Sequence, residues 1–108
     1  MKLRLPPTTN HIYGQRGYQR YLTKEAKAWK EEAQWIYKTE WKQDMLVEAV
    51  RVNVNFYLKR DRDVDNLKLI LDSLQGIVIA NDSQVQALYI AKHKSSEPYV
   101  DIEVKTMI

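Results

Sequence analysis

The stretch that decides the fold runs from residue 50 to residue 74 and reads VRVNVNFYLKRDRDVDNLKLILDSL. Its first part, Val50–Leu58, alternates apolar and polar side chains, which predicts a strand with one buried face. From Leu67 onward, apolar side chains at helical spacing predict a helix of about ten residues, and Gly76 follows as its C′ residue. Between these elements, Asp61, Asp63 and Asp65 put three like charges into five positions. That crowding is unfavourable unless a positive group lies among the carboxylates.

The remaining sequence predicts one more helix and three more strands. Residues 2–5 alternate as a short strand, and residues 8–18, with two glycines, predict a mobile loop. Thr23 is placed to N-cap a helix that runs to about residue 42. Residues 84–94 and 99–106 predict the last two strands. The order β-α-β-α-β-β predicts a single α+β domain over residues 1–108, with two helices covering a mixed sheet of about four strands.

Composition narrows the class of protein further. The 108 residues, 44% hydrophobic and 29% charged, suit one globular domain. No apolar run approaches the roughly 18 residues of a membrane span, and the first residues lack the apolar stretch of a secretory signal. The absence of cysteine excludes disulfides and thiolate metal sites. We therefore expect a cytoplasmic protein with no membrane contact.

The basic residues are concentrated at one end of the chain. The formal net charge is +3, yet residues 1–30 carry seven lysines and arginines against one glutamate. A basic N-terminal third and an acidic cluster elsewhere suggest a polyanionic partner and a separate cation site. A solvated basic helix face is the alternative. Phosphate contacts are expected from Arg16, Arg20, Lys24, Lys27, Arg60 and Arg62.

Two interpretations of the aspartates require no catalysis. In the first, Asp63 or Asp65 caps the second helix, although three acids exceed what a cap needs. In the second, Asp61, Asp63, Asp65 and Asp72 occupy positions 1, 3, 5 and 12 of a calcium loop. Such a loop needs glycine at position 6, where Asn66 stands, and a helix before it, where the pattern predicts a strand.

The third interpretation is a catalytic metal site. Side chains two apart on an extended chain point to the same side, so Asp63 and Asp65 can reach one hard cation such as Mg²⁺. Asp82, in the turn before the next strand, is the candidate for a third ligand. Lys68 is placed to stabilise developing phosphate charge, or to form an i,i+4 salt bridge to Asp72. Without metal, we expect at least one of these aspartates to have a raised pKa.

The sequence resembles the RusA-type Holliday junction resolvases, which are Mg²⁺-dependent endonucleases of bacteria and their phages. The resemblance covers nearly the whole chain. It rests on the spacing of several N-terminal residues and on DVDN at residues 63–66, Lys68, ILDSLQGIV at residues 70–78 and NDSQV at residues 81–85.

The resemblance assigns the site. It implies that Asp63, Asp65 and Asp82 bind Mg²⁺, which Mn²⁺ can replace, and that Lys68 is catalytic. Two departures stand out: the lysine follows the second aspartate by three residues instead of four, and Asn81 replaces an acid.

The resemblance also implies how the protein acts. A C2 homodimer would cut two strands of a four-way DNA junction by phosphodiester hydrolysis, during recombination or repair in a bacterial or phage-infected cell. Two alternatives remain open: a non-catalytic DNA-binding module with the same fold, and a nuclease that acts on flaps or forks.

Overall fold

The computed structural model describes residues 1–8, 13–16, 19–62 and 66–107, and for residues 13–16 and 19–22 only the backbone is described. Two α-helices and a four-stranded mixed sheet confirm the predicted α+β class. The elements are β1 (Lys2–Leu3), β2 (Tyr13–Arg16), β3 (Gln19–Leu22), α1 (Lys24–Glu40), β4 (Val50–Leu58), α2 (Leu67–Leu74), a 3-10 helix (Asp82–Gln84), β5 (Val85–Lys94) and β6 (Tyr99–Thr106).

The sheet has the strand order β1-β6-β4-β5. β4 runs parallel to β5 and antiparallel to β6, and β1 pairs antiparallel with β6. Consecutive strands β5 and β6 therefore lie on opposite sides of β4, and the short connection between them crosses the end of β4. There the Ser95 N–H donates to the Leu58 carbonyl at 2.9 Å. This hydrogen bond continues the pairing of β4 with β5 one residue beyond the end of β5.

The hydrophobic core lies between one face of the sheet and the two helices. Every second residue of β4 is buried on that face, as the alternation predicted. The residues between them, which are Arg51, Asn53, Asn55 and Tyr57, point to the other face. Trp29 belongs to this core, whereas Trp35 on the outer face of α1 is 72% exposed. The helices contribute Ala26, Trp29, Ala33, Tyr37, Leu69, Ile70 and Leu74.

The helix termini follow their predicted signals. Thr23 Oγ1 accepts a hydrogen bond from the Ala26 N–H at 3.3 Å, which confirms the predicted N-cap of α1. Gly76 has φ +86°, a conformation that glycine adopts without steric cost, so its predicted place after α2 is also confirmed. α1 ends at Glu40, two residues before the predicted end. Neither helix in the described part of the chain is long and apolar enough to cross a membrane.

One buried hydrogen bond joins the two helices. Ser73 Oγ donates to the Ile70 carbonyl at 2.5 Å, so the Tyr37 hydroxyl donates to Ser73 Oγ, at 2.9 Å. Burial raises the pKa of the Tyr37 phenol, although the hydrogen bond with Ser73 lowers it in part. The phenol is therefore neutral at physiological pH and acts as a donor between α1 and α2.

The prediction for residues 8–18 was wrong in part. β2 and β3 form an antiparallel hairpin that pairs Tyr13 with Leu22 and Arg16 with Gln19. Both strands are largely polar, so no apolar alternation marks them in the sequence. Backbone hydrogen bonds between the strands, which do not depend on side-chain type, form the hairpin instead.

Candidate active site

The two ends of strand β4 lie at opposite edges of the sheet, and each of these edges has its own functional residues. We call the edge where β4 ends, with residues 58–62 and 92–95, the exit edge. The edge where β4 begins, with residues 46–50 and 81–85, is the entry edge. The register pairs Val50 with Val85 and Leu58 with Lys94, so each end of β5 lies beside the same end of β4. At about 3.3 Å per residue, the two edges are roughly 27 Å apart.

The segment that carries Asp63 and Asp65 lies outside the described residues, but both of its neighbours lie at the exit edge. Arg62 Nη2 donates to the Pro6 carbonyl at 3.4 Å. The Asn66 side-chain amide donates to the Pro7 carbonyl. These prolines follow β1, which runs parallel to β4 because both strands are antiparallel to β6. The chain on either side of the two predicted metal ligands is thus held against the same turn.

Asn66 is the N-cap residue of α2 and adopts a left-handed conformation with φ 69°. Asparagine tolerates this conformation better than most residues. Asn66 thus occupies the N-cap position for which the capping interpretation named Asp63 or Asp65, and those two residues lie outside the described part of the chain. We call residues 61–65 the acidic segment. The element before it is strand β4 instead of a helix, which excludes the calcium-loop interpretation.

A lysine from β5 holds the start of the acidic segment. Lys92 Nζ lies 2.7 Å from Asp61 Oδ1 and 3.1 Å from the Arg62 carbonyl oxygen. This ion pair lowers the pKa of the exposed Asp61 carboxyl, in the opposite direction to the raised pKa that we predicted for one of the aspartates. Asp63 and Asp65, to which that prediction also applies, lie outside the described residues. Sequence analysis did not single out Lys92, although the basic end of β5 (AKHK) was visible.

Lys68 is exposed in the first turn of α2, near the exit edge. The predicted salt bridge to Asp72 does not form, because Asp72 Oδ1 instead accepts a hydrogen bond from Gln75 Nε2 at 3.1 Å. No described residue forms an ion pair with Lys68. Within the described part of the chain, its ammonium group is thus available to an external anion.

Asp82 lies at the entry edge, in the first position of the 3-10 helix. Asn81 Oδ1 accepts from the Ser83 N–H at 2.9 Å, and Gln84 Oε1 accepts from the Asn81 N–H at 2.8 Å, which forms a capping box. Gln84 Nε2 also donates to the carbonyl groups of Leu46 and Glu48. The sequence had suggested only that Asn81 removes one possible metal ligand. Its side chain instead helps to hold the turn, and the spacing N-x-x-Q is a sequence signal for this capping box.

The Asp82 carboxylate has the chemistry that a hard cation needs. It is exposed, and among the described residues nothing forms a hydrogen bond or ion pair with it. However, Asp82 and Arg62 lie at opposite edges of the sheet, and the described residues contain no group of three acidic or histidine side chains that could hold a metal ion. One chain therefore does not bring Asp82 to the exit edge.

Most predicted DNA-binding residues surround the exit edge. α1 begins there, because Trp29 Nε1 donates to the Arg4 carbonyl at 2.8 Å, whereas Trp41 at its end shares a pocket with Thr106 of the entry edge. Lys24 and Lys27 are exposed in the first turn of α1, Arg60 is exposed after β4, and Arg62 is partly exposed. The other two, Arg16 and Arg20, belong to the β2–β3 hairpin, where only the backbone is described.

Comparison with known protein families gives a match over most of the chain. The model of a family described as "Endodeoxyribonuclease RusA" matches residues 4–105, which is nearly the whole chain. The comparison with curated proteins finds no significant match.

Proposed function

The chain belongs to the RusA family of endodeoxyribonucleases, and on that premise we propose that it cuts paired strands of a four-way DNA junction in a Mg²⁺-dependent reaction. The family makes it a DNA hydrolase that resolves Holliday junctions; the metal, the residue roles and the homodimer are our proposals. The observation that carries them is the position of Arg62 and Asn66, the described residues on either side of Asp63 and Asp65, at the edge of the sheet where the basic groups lie. We also propose that it works in the cytoplasm of a bacterial or phage-infected cell.

The exit edge has the charge that DNA binding requires. Lysines and arginines there come from the start of α1, the segment after β4 and the end of β5. Neutralising several DNA phosphates releases counterions, so such a surface binds branched DNA with strong dependence on salt. The same contacts would place a phosphodiester next to the acidic segment. We propose Arg16, Arg20, Lys24, Lys27, Arg60 and Arg62 for this role.

We propose that Asp63, Asp65 and Asp82 hold Mg²⁺, with Mn²⁺ as a substitute. Carboxylate oxygens are the ligands that Mg²⁺ prefers, and the unengaged Asp82 carboxylate fits this donor set. When bound, the metal supplies positive charge that polarises the phosphate and favours hydroxide formation from water. Lys68 binds a phosphate oxygen and stabilises the negative charge that develops there. Lys92 keeps the acidic segment in place through Asp61.

The separation of the edges leads us to infer that each metal site is shared between two chains. Asp63 and Asp65 would come from one protomer and Asp82 from its partner, because roughly 27 Å separates the edges within a chain, whereas Mg²⁺–oxygen distances are about 2.1 Å. A C2 dimer repeats this arrangement twice, with one site for each strand to be cut.

The entry half of β5 has features that support pairing with a second chain. Leu88 and Ile90 are 37% and 40% exposed on the side of the sheet that the helices cover elsewhere. On the opposite face of the sheet, Arg51 Nε and Asn53 Oδ1 are buried without a hydrogen-bond partner among the described residues. A second chain against the helix-side surface of β5 would cover the two apolar side chains.

The proposal is tested with a labelled synthetic four-way junction, compared with a flap and a linear duplex of the same sequence. We expect symmetrical nicking of the junction with Mg²⁺, no cutting with EDTA, and undiminished junction binding without cutting by Asp65→Asn. Full activity of Asp65→Asn would contradict the role given to that carboxylate. Equal cutting of flaps would favour a general branched-DNA nuclease, and binding without cutting by the unaltered protein would indicate a non-catalytic module.

A further inference from the structure

A row of stacked side chains crosses the sheet close to the exit edge. The Tyr57 ring on β4 stacks on Tyr99 of β6, with centroids 4.4 Å apart and an interplanar angle of 12°. Its other face stacks on the His93 ring of β5, with centroids 4.7 Å apart and an angle of 20°. Lys2 Nζ lies 4.3 Å from the centre of the Tyr99 ring. These four residues, the ring row, thus run from β1 to β5 across all four strands.

The ring row ends at His93 with one ring face that no described residue covers. Lys2 covers the Tyr99 end of the row. At the other end, β5 is an outermost strand of the sheet, so no neighbouring strand lies beside the outer face of the His93 ring. The ring is exposed, and its Nε2–H donates to Asn55 Oδ1 at 2.9 Å. Stacking on one side and this hydrogen bond together hold the ring plane fixed.

His93 also lines a basic pocket of about 470 Å³, within the range of about 300–1,000 Å³ that is typical of ligand sites. Its lining includes four cationic side chains and a single acid, Asp61, which is already paired with Lys92. The pocket adjoins the acidic segment, because Asp61 belongs to both. The cationic residues of the lining are Lys59, Arg60, Lys92 and Lys94.

We propose that this pocket binds one unpaired nucleotide of the branched DNA, with its base stacked on the outer face of His93 and its phosphate held by Lys94 and Arg60. This inference rests on the proposed function, and it explains how the protein would select branched DNA over continuous duplex. A base in a continuous duplex is stacked on both sides, so only a base freed at a strand exchange can extend the ring row. The lysines and arginine bind any DNA backbone, whereas His93 distinguishes branched DNA from duplex.

The experiment measures equilibrium binding in EDTA, where no cutting occurs, by fluorescence anisotropy of a labelled four-way junction and of the matching duplex. For His93→Ala we expect at least about fivefold weaker junction binding, which corresponds to the weaker end of base–aromatic stacking, and less than a twofold change with duplex. His93→Phe, which keeps a stacking surface, should bind the junction within about twofold of the unaltered protein. Lys94→Gln should weaken both DNAs and lower the slope of log affinity against log salt by about one.

Trp35→Ala is the matched control, since Trp35 is an exposed aromatic residue on the outer face of α1, remote from the pocket. It should leave both affinities unchanged. Equal junction binding by His93→Ala and the unaltered protein would overturn the nucleotide pocket and leave the proposed function intact. Failure of the unaltered protein to bind any junction would overturn both. A loss in His93→Ala that His93→Phe does not restore would also reject stacking.

Discussion

At the scale of single residues, Lys92 has the most direct link to the acidic segment. Its ammonium group contacts Asp61 and the Arg62 carbonyl at once, so it holds both the first acid and the backbone that leads to Asp63. Both partners are far from Lys92 in the sequence, and the parallel register of β4 and β5 brings them together. We propose that Lys92 is a positioning residue, which acts through the segment that it holds.

The pKa of Asp61 tests this contact. Lys92 holds that pKa below its ordinary value of 3.8. The stabilisation that the ion pair gives the folded chain is therefore complete above pH 3.8, and it is lost as pH falls through the lowered pKa. In Lys92→Met we expect the Asp61 pKa to rise toward 3.8, measured by NMR titration of the carboxyl carbon. Lys94→Met, two residues further along the same face of β5, is the control and should shift it much less. An unchanged Asp61 pKa in Lys92→Met would contradict the ion pair.

At the scale of secondary-structure elements, α2 links the acidic segment to the core. Leu69, Ile70 and Leu74 pack into the core, and Ser73 joins the helix to α1 through Tyr37. Because Asn66 and Lys68 stand at the start of α2, its position against α1 determines where they lie at the exit edge. The Tyr37–Ser73 hydrogen bond is the polar contact that sets this position in an otherwise apolar interface.

The two single substitutions that remove this hydrogen bond should lower the free energy of unfolding by different amounts. Tyr37→Phe removes the donor and should lower the free energy of unfolding by about 1 kcal/mol. Ser73→Ala leaves the buried phenol without its acceptor and should cost more, about 1–3 kcal/mol. Urea unfolding of both variants and of the double variant measures the pair, and we expect the double variant to lose less than the sum of the single losses. Strictly additive losses would show that the two groups do not interact.

At the scale of the whole molecule, the length of β4 determines how a metal site can be assembled. The acidic segment follows β4 at the exit edge, and Asp82 precedes β5 at the entry edge. Since β4 and β5 are parallel, residues after one strand and before the next lie at opposite ends of the sheet. A site that needs both therefore needs a second chain.

Mixing two inactive variants tests the shared site. Asp65→Asn and Asp82→Asn should each fail to cut the junction alone. In a mixed dimer, the intact Asp65 of one chain meets the intact Asp82 of the other, so one complete site forms and nicking of one strand returns. The assay mixes the two proteins under conditions that allow subunit exchange, and each protein alone is the control. If the mixture stays inactive although mass measurement detects mixed dimers, the metal site is not shared between chains.

Local sequence pattern was sufficient for the elements and for their caps. The alternation in β4, the apolar spacing in α2, Thr23 before α1 and Gly76 after α2 all depend on neighbours within a few residues, and each was confirmed. The family match further confirms the enzyme class that the resemblance implied. The roles of Asp63, Asp65, Asp82 and Lys68 remain predictions.

Other features depend on residues that are distant in the chain. The Lys92–Asp61 ion pair, the ring row that ends at His93 and the β2–β3 hairpin arise from strand pairing, which leaves no periodic mark in the sequence. The same holds for the roughly 27 Å between the edges. Periodicity records which side of an element faces the core, because burial selects side chains locally. It carries no information on which ends of two strands meet, and topology alone places Asp82 at the edge opposite Asp61.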